Sequence, residues 1–306
     1  MSDADELVSV VIPTYYRNDR LREALGSVAD QTYDPIEVFV VDSSDDGHAR
    51  SVVEEFARDH ADLDCTYVLT ERDEGPQAAR SLGAERASGV YVQFLDDDDR
   101  LAPTKIAEQA GLLDARTEVG VAYCGMVDED RGEILPNPEV RGDVLRYALE
   151  MRTFPCINST MLIGAGVLAG LLPLKHRHGA DDTGMKIELA LETEFDYVNE
   201  ALVVRGRTDT SLSDSWAYLE GRKRVVGTFD DAYRSFPPRV RQRAVRETHY
   251  QIAKKLLEER GWSPRATVEF ARAAYHTPDD RTDYVGEALA SVLGRPGVQA
   301  ADRLLS

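Results

Sequence analysis

The first 126 residues alternate between two hydrophobic rhythms. Short runs of β-branched and aromatic residues are each followed by a stretch whose apolar positions recur every three or four residues. Residues 8–14 (VSVVIPT) read as a buried strand closed by Pro13, and residues 20–30 as a helix with Leu21, Leu25 and Val28 at i, i+4, i+7. Residues 37–42 (EVFVVD), 65–69 and 90–95 (VYVQFL) predict further strands, and 49–60 and 76–87 predict the intervening helices. Pro76 suits the start of its helix, where the missing N–H costs nothing. Pro103 opens another helix and residues 119–126 form another strand. This order predicts an α/β fold: a mostly parallel sheet with helices on both faces. Ligands of such sheets sit beyond the carboxyl ends of the strands. Thr14, Asp42 and Asp96 all fall at such ends and are expected to converge on one crevice.

A less regular stretch covers residues 128–214. From Trp216 the pattern is helical, with Val245, His249, Ile252 and Leu256 on one face and Arg243, Glu247 and Lys254 opposite. The expected division is an α/β domain over 1–214 and a C-terminal helical extension over 215–306. Pro237-Pro238 and residues 295–297 (RPG) read as turns. The longest run free of charged and strongly polar groups, residues 161–174, contains three glycines and a proline. It falls short of the roughly 20 residues a membrane span needs. The acidic N-terminus lacks the basic start of a signal peptide. Cys65, Cys124 and Cys156 form no CxxC pair, which predicts free thiols in a reducing cytoplasm.

Charge narrows the functional classes. The net charge is −19, from 55 acidic and 36 basic residues, and only 6 of the basic ones are lysine. A phosphate backbone repels such a surface, so no nucleic-acid partner is expected. Many carboxylates with few lysines suggest adaptation to high salt, where screening relieves self-repulsion. Against this, residues 222–260 carry a net charge of +6, leaving −25 for the remainder. That asymmetry points to an anionic contact for the tail, either a peripheral membrane surface or the acidic domain of the same chain.

Asp96-Asp97-Asp98-Asp99 directly follows a predicted strand, where Asp is disfavoured. Carboxylates at a strand end suit a hard divalent ion, Mn²⁺ or Mg²⁺, with positions left for a phosphate. A solvated acidic turn is the other reading. The first strand is followed by PTYYRNDRL, without the glycines of a nicotinamide or flavin fingerprint, and neither GxxxxGK[ST] nor GxSxG occurs. What remains is a metal-dependent site that handles a nucleotide without a glycine cradle.

Three segments carry a resemblance: VSVVIPTYYRNDRLREALGSVADQTYDPIEVFVVD, EGPQAARSLGAERASGVYVQFLDDDD, and ADDTGMKIELALETEFDYVNEALVV. In order and spacing they resemble glycosyltransferase family 2, over roughly residues 7–213. The resemblance implies the GT-A fold and inverting transfer of a sugar from a nucleotide donor, UDP-linked by expectation, to a glycan or lipid-linked acceptor. It implies nucleotide contacts from Pro13, Thr14, Tyr15, Arg17, Asp42, Arg72, Asp96 and Asp97. Asp98 would hold the Mn²⁺ or Mg²⁺, and Asp182 would be the general base. Asp182 also reads as a helix cap. His176 and His178 are either loop residues near the acceptor or, with Asp181, a second metal site.

Two positions depart from the family pattern. Ser43 stands where many members carry a second Asp, with Asp45 and Asp46 following. Thr208 stands where a diphosphate-binding His is expected, leaving Arg205 or Arg207 to supply the charge. These departures keep open a non-catalytic GT-A binding or scaffold protein, and a hydrolase or nucleotidyl enzyme is the third reading. The expected site of action is the cytoplasm, at the inner face of the cell membrane.

Overall fold

The computed structural model describes residues 6–206, 215–277 and 282–305. Among the described residues nine strands are formed: β1 (Val8–Thr14), β2 (Ile36–Asp42), β3 (Asp64–Leu69), β4 (Tyr91–Phe94), β5 (Arg100–Leu101), β6 (Val119–Asp128), β7 (Gly132–Ile134), β8 (Met161–Gly164) and β9 (Glu194–Arg205). They join one sheet in the order β3-β2-β1-β4-β8-β6-β9-β5, with β7 paired to β6. The first four strands are mutually parallel. Beyond β4 the directions mix: β8 runs antiparallel to both β4 and β6, whereas β6 and β9 are parallel. β8 comes from the apolar run at 161–174. Four residues ending in Gly164 carry no period of their own, and the strand exists because β4 and β6 offer it partners.

The helices of this region are α1 (Asn18–Ala29), α2 (Arg50–Asp59), α3 (Pro76–Ala84), α4 (Lys105–Ala115), α5 (Leu145–Leu149), α6 (Ala165–Ala169) and α7 (Asp181–Glu192). Val8, Val10 and Ile12 of β1 point to one face with Val38 and Val40 of β2. They meet Leu21 and Leu25 of α1, Val52 and Val53 of α2, and Ile106 and Leu113 of α4 in a single buried cluster. Strand alternation sends Val11 and Val41 to the other face, where α3 packs. Burial on both faces explains the near-continuous apolar runs of β1 and β2.

The chain divides into two compact units. The first comprises the sheet and its helices. The second gathers residues 146–152, residues 177–183 and the described residues from Ser215 onward. It contains α8 (Trp216–Thr228), α9 (Asp230–Arg234), α10 (Pro238–Arg260), α11 (Pro264–Tyr275), α12 (Thr282–Ala290) and α13 (Arg295–Leu305). Two early segments are bound into it by side chains: the Arg177 guanidinium lies 5.8 Å from the centre of the Phe229 ring, and residues 146–152 are held by hydrogen bonds. Tyr233 donates to the carbonyl of Leu149 at 2.6 Å, and buried Glu150 accepts from Arg146, Arg152 and Arg243. Leu219, Ile252, Leu256, Leu257, Phe270 and Val298 form the unit's own core.

The buried ladder of α10 is Val240, Ala244, Thr248, Ile252 and Leu256; Val245 and His249 are half-buried. The pattern expected from sequence is thus rotated by one residue in its first half, because small Ala244 and Thr248 let α10 approach its neighbours. Pro238 and Arg295, expected in turns, instead begin α10 and α13. Among the described residues no helix is long and apolar enough to cross a membrane. Cys124 and Cys156 are buried free thiols, and Cys65 is a half-buried one.

Candidate active site

The four aspartates leave the end of β4 as a tight turn, closed by a 3.0 Å bond from the Asp99 N–H to the Asp96 carbonyl. The Asp96 N–H donates to Ser159 Oγ at 3.1 Å, anchoring the start of the turn. Each carboxylate then meets a different partner. Asp96 pairs with the guanidinium of Arg80, a nearly buried residue of α3 that also donates to Gln77 Oε1 at 2.7 Å. Asp97 accepts from Thr14 Oγ1 at 2.8 Å and from Arg17 at 3.1 Å. Arg17 reaches Asp98 at 3.3 Å. Asp99 accepts from the Gly206 N–H at 2.9 Å. At Gly206 the backbone passes so close that a Cβ would fall 1.8 Å from the Asp98 carbonyl oxygen. Only glycine fits there.

The crowding shows in the proton affinities of Asp97, Asp98 and Asp99. Burial raises the pKa of Asp97, against Arg17 and Thr14, which lower it. Asp98 is pushed up to about 6, first by burial and then by the charges of Asp96 and Asp97. Burial, reinforced by Asp96 and Asp98, also drives Asp99 upward. A divalent ion would reverse these shifts by supplying the missing positive charge. The donor set fits: Asp98 offers a hard oxygen and is not wholly buried. Among the described residues no three His, Cys, Asp or Glu side chains are grouped to hold a metal ion. An ion at Asp98 would therefore keep most positions for diphosphate and water, as Mg²⁺ does with one or two carboxylates.

The β1–α1 loop supplies the other wall of the turn. Pro13 and Thr14 are buried, and Tyr15 and Tyr16 are exposed, with Tyr16 at φ 54° and against His48. The Ser43 N–H donates to the Thr14 carbonyl at 3.0 Å, joining this loop to the one after β2. Asp42 is wholly buried. Its oxygens accept from the N–H groups of Ser44 and Ala49 and from the Tyr67 hydroxyl, each at 2.9 Å. The carboxylate therefore holds the shape of the β2–α2 loop. Arg72 lies in the exposed loop after β3 and pairs with Glu74.

Asp182 belongs to the second unit, on the first turn of α7. Its Oδ1 accepts from the Thr183 N–H at 2.7 Å. Asp181 beside it accepts from the Arg177 N–H and is buried. Carboxylates at this end of a helix are favoured by its dipole. His178 takes a left-handed φ of 55° in the preceding loop. Arg205, at the end of β9, pairs with Asp128 at 3.5 Å. Arg207 and Thr208 lie outside the described residues.

Three residues of the turn's surroundings escaped the sequence reading: Arg80, Ser159 and the tethering role of Asp99. Arg80 carried a signal, since Gln77 and Arg80 recur at i, i+3 on the buried face of α3, and a buried arginine needs an anion. Ser159 carried none.

A mixed sheet of this order, with an acidic turn after its fourth strand and a β1 loop closing on it, is the GT-A glycosyltransferase architecture. Solved structures share it, among them these two. A mannosyltransferase from Pyrobaculum calidifontis in complex with GDP-Man and Mn²⁺ superposes with TM-score 0.62 at 23% identity, covering 97% of this chain and 84% of that one. Residues 1–349 of S. aureus TarS in complex with UDP-GlcNAc give TM-score 0.65 at 18% identity, covering 97% and 91%. The chain belongs to glycosyl transferase family 2, whose family model matches residues 9–165. Among curated relatives, a putative teichuronic acid biosynthesis glycosyltransferase, TuaG, from Bacillus subtilis is 30% identical over 38% of this chain and 46% of its own length. A Campylobacter jejuni GalNAc(5)-diNAcBac-PP-undecaprenol beta-1,3-glucosyltransferase is 35% identical over 31% of this chain and 30% of its own length. The chain thus spans less than half the length of these relatives.

Proposed function

We propose that the protein is an inverting glycosyltransferase that moves a hexosyl group from a nucleoside-diphosphate sugar, UDP-linked by preference, to a hydroxyl of a lipid-linked glycan destined for surface glycoprotein or polysaccharide. The observation that carries the reading is the Asp96–Asp99 turn closed on Thr14 and Arg17. Such a turn gathers acidic oxygens at a strand end without enough cations to neutralise them. The divalent ion of the Pyrobaculum structure and the nucleotide sugars in both solved structures support a metal-assisted donor site. The undecaprenol-linked acceptor in the Campylobacter relative's name supports the acceptor class.

In this reading Asp98 holds Mn²⁺ or Mg²⁺, which when bound supplies Lewis-acid stabilisation of the departing diphosphate. Thr14, Tyr15 and Arg17 line the nucleotide beside Pro13, with Asp96 and Asp97 toward the ribose. Asp42 acts through the β2–α2 loop, and Arg72 reaches the base from the opposite loop. Asp182 accepts the proton of the acceptor hydroxyl. The acceptor oxygen bonds to the anomeric carbon as the bond from that carbon to the donor phosphate oxygen breaks. The electron pair leaves with the nucleoside diphosphate, and attack from the opposite side inverts the centre. One protein base suffices, since the leaving group needs no proton.

The α/β domain over 1–214 would carry this chemistry. The helical region over 215–306 would bring it to the inner face of the membrane. A screen of UDP-glucose, UDP-GlcNAc, UDP-galactose and GDP-mannose, read as Mn²⁺-dependent nucleoside-diphosphate release, tests the proposal. Release from one donor, abolished by EDTA, is the expected result. Metal-dependent nucleotide binding without release from any donor or acceptor tried would favour the scaffold reading that Ser43 first raised.

A further inference from the structure

The stretch from Tyr284 to Ala300 is unlike the rest of the chain. Acidic residues make up 55 of 306 positions overall. This stretch has one, Glu287, and it is buried, accepting from the Tyr250 hydroxyl at 2.8 Å. Large apolar side chains stand outward on it instead: Leu289 is 70% exposed, Val292 58% and Leu293 75%. Trp262, 57% exposed, joins them, because its indole N–H donates to the Val292 carbonyl at 2.9 Å. The Arg295 N–H bonds the Gly261 carbonyl at 2.7 Å, so the α10–α11 corner and the turn before α13 form one stitched tip. Arg260 directly precedes Gly261, Arg265 follows Trp262 by three residues and Arg295 makes the stitch, and all three are exposed. Of the nearby acids on α10, Glu259 is engaged by Lys255 and by Trp216 of α8, leaving Glu258 on the last turn.

We infer that this tip, built from Trp262, Leu289, Val292 and Leu293 with Arg260, Arg265 and Arg295, docks into the headgroup layer of an anionic lipid bilayer. The inference rests on the membrane contact proposed above and gives it a place in the fold. Apolar side chains without carboxylates would otherwise stay in water, at a free-energy penalty proportional to their area. Tryptophan prefers the membrane–water boundary, and arginine stems extend along apolar surface while their guanidinium groups reach phosphates. A short apolar tip with a basic rim is the pattern of a protein that lies on a membrane. A second copy of the chain suits the tip less well. A two-fold contact would set the same three arginines against one another, and so few side chains cannot supply the roughly 1,200 Å² of a stable interface.

The test is flotation of the full chain with vesicles of phosphatidylcholine and phosphatidylglycerol (7:3) and with phosphatidylcholine alone, without sugar donor. Wild type should float with the anionic vesicles and shift its tryptophan emission to the blue. The double variant Leu289→Glu/Leu293→Glu changes exposed side chains only. It should keep its melting temperature and donor turnover while losing vesicle binding by about tenfold or more, as expected for removing two leucines from the interface. Arg265→Glu/Arg295→Glu should weaken binding to the anionic vesicles specifically. If wild type floats and the leucine variant floats equally, the tip is the wrong surface, although membrane contact itself stands. If wild type does not float, both ideas fall. If the leucine variant instead dissolves a dimer seen by sedimentation velocity in a chain that ignores vesicles, the partner is a second copy and the inference is overturned.

Discussion

Asp182 and Lys105 are charged residues in opposite circumstances, and each makes a prediction at its own scale. Asp182 sits at a helix N-terminus with one oxygen bound to the Thr183 N–H. Asn can keep that bond but cannot accept a proton. Asp182→Asn should therefore leave donor affinity unchanged and lower turnover by about 10²–10⁴-fold. Weakened donor affinity with normal turnover would mean a capping role only. Lys105 is fully buried behind β4, donating to Gln93 Oε1 and toward the Met161 carbonyl at 3.4 Å. Burial lowers its pKa to about 7. Unfolded, it would hold its proton to about pH 10. Between those values the unfolded chain binds the extra proton, so this residue makes stability rise with pH from about 7 to 10, with a constant deficit below. The melting-temperature gain of Lys105→Met over wild type should be largest at pH 7 and shrink toward pH 10. A gain that does not vary with pH would show that Lys105 is not depressed. The burial of Lys105 was invisible in the sequence, where it is one lysine in a helix opened by Pro103; its pocket is made by β4, β6 and β8, distant in the chain.

At the scale of elements, legibility follows how much of each signal is local. β1 and β2 were readable because both faces are buried and their apolar runs are unbroken. The acidic turn was readable because four aspartates after a strand are chemically unusual. β8 was not, since its strand character comes from pairing alone. Nor was the tie between the turn and β9, which joins Asp99 to Gly206 across 107 positions. That tie predicts the behaviour of Gly206→Ala. The new Cβ would collide with the Asp98 carbonyl, forcing the strand end and the turn apart at a cost of about 1–3 kcal/mol. The melting temperature should fall, and Mn²⁺-dependent nucleotide binding should weaken with it. Unchanged values for both would mean that the turn does not depend on the strand end. The helical face of α10 shows the opposite kind of miss. The large Val245 drew the sequence pattern, while Ala244 and Thr248 make the contact because they are small.

For the molecule as a whole, charge sets the conditions under which the fold persists. A net charge of −19 on 306 residues repels itself when the Debye length is about 10 Å, at 0.1 M salt. Much of the local pairing cannot offset this, because ion pairs such as Arg22–Glu55 and Arg234–Asp231 are solvent-exposed and contribute little each. The melting temperature should therefore rise as KCl goes from 0.1 to 2 M. A flat or falling profile would contradict the salt-adapted reading. High salt also screens long-range attraction to a membrane, which leaves Trp262, Leu289 and Leu293 to hold the proposed contact, with arginines acting at close range.

The central claim is that the Asp96–Asp99 turn binds a nucleoside diphosphate through a divalent ion held by Asp98. Calorimetric titration of UDP into the full chain, with and without Mn²⁺, and into Asp98→Asn under both conditions, tests it most directly. Mn²⁺ should strengthen UDP binding to wild type, and Asp98→Asn should abolish this gain while keeping the metal-free affinity proposed for Thr14, Tyr15 and Arg17. Equal strengthening by Mn²⁺ in wild type and Asp98→Asn would contradict it.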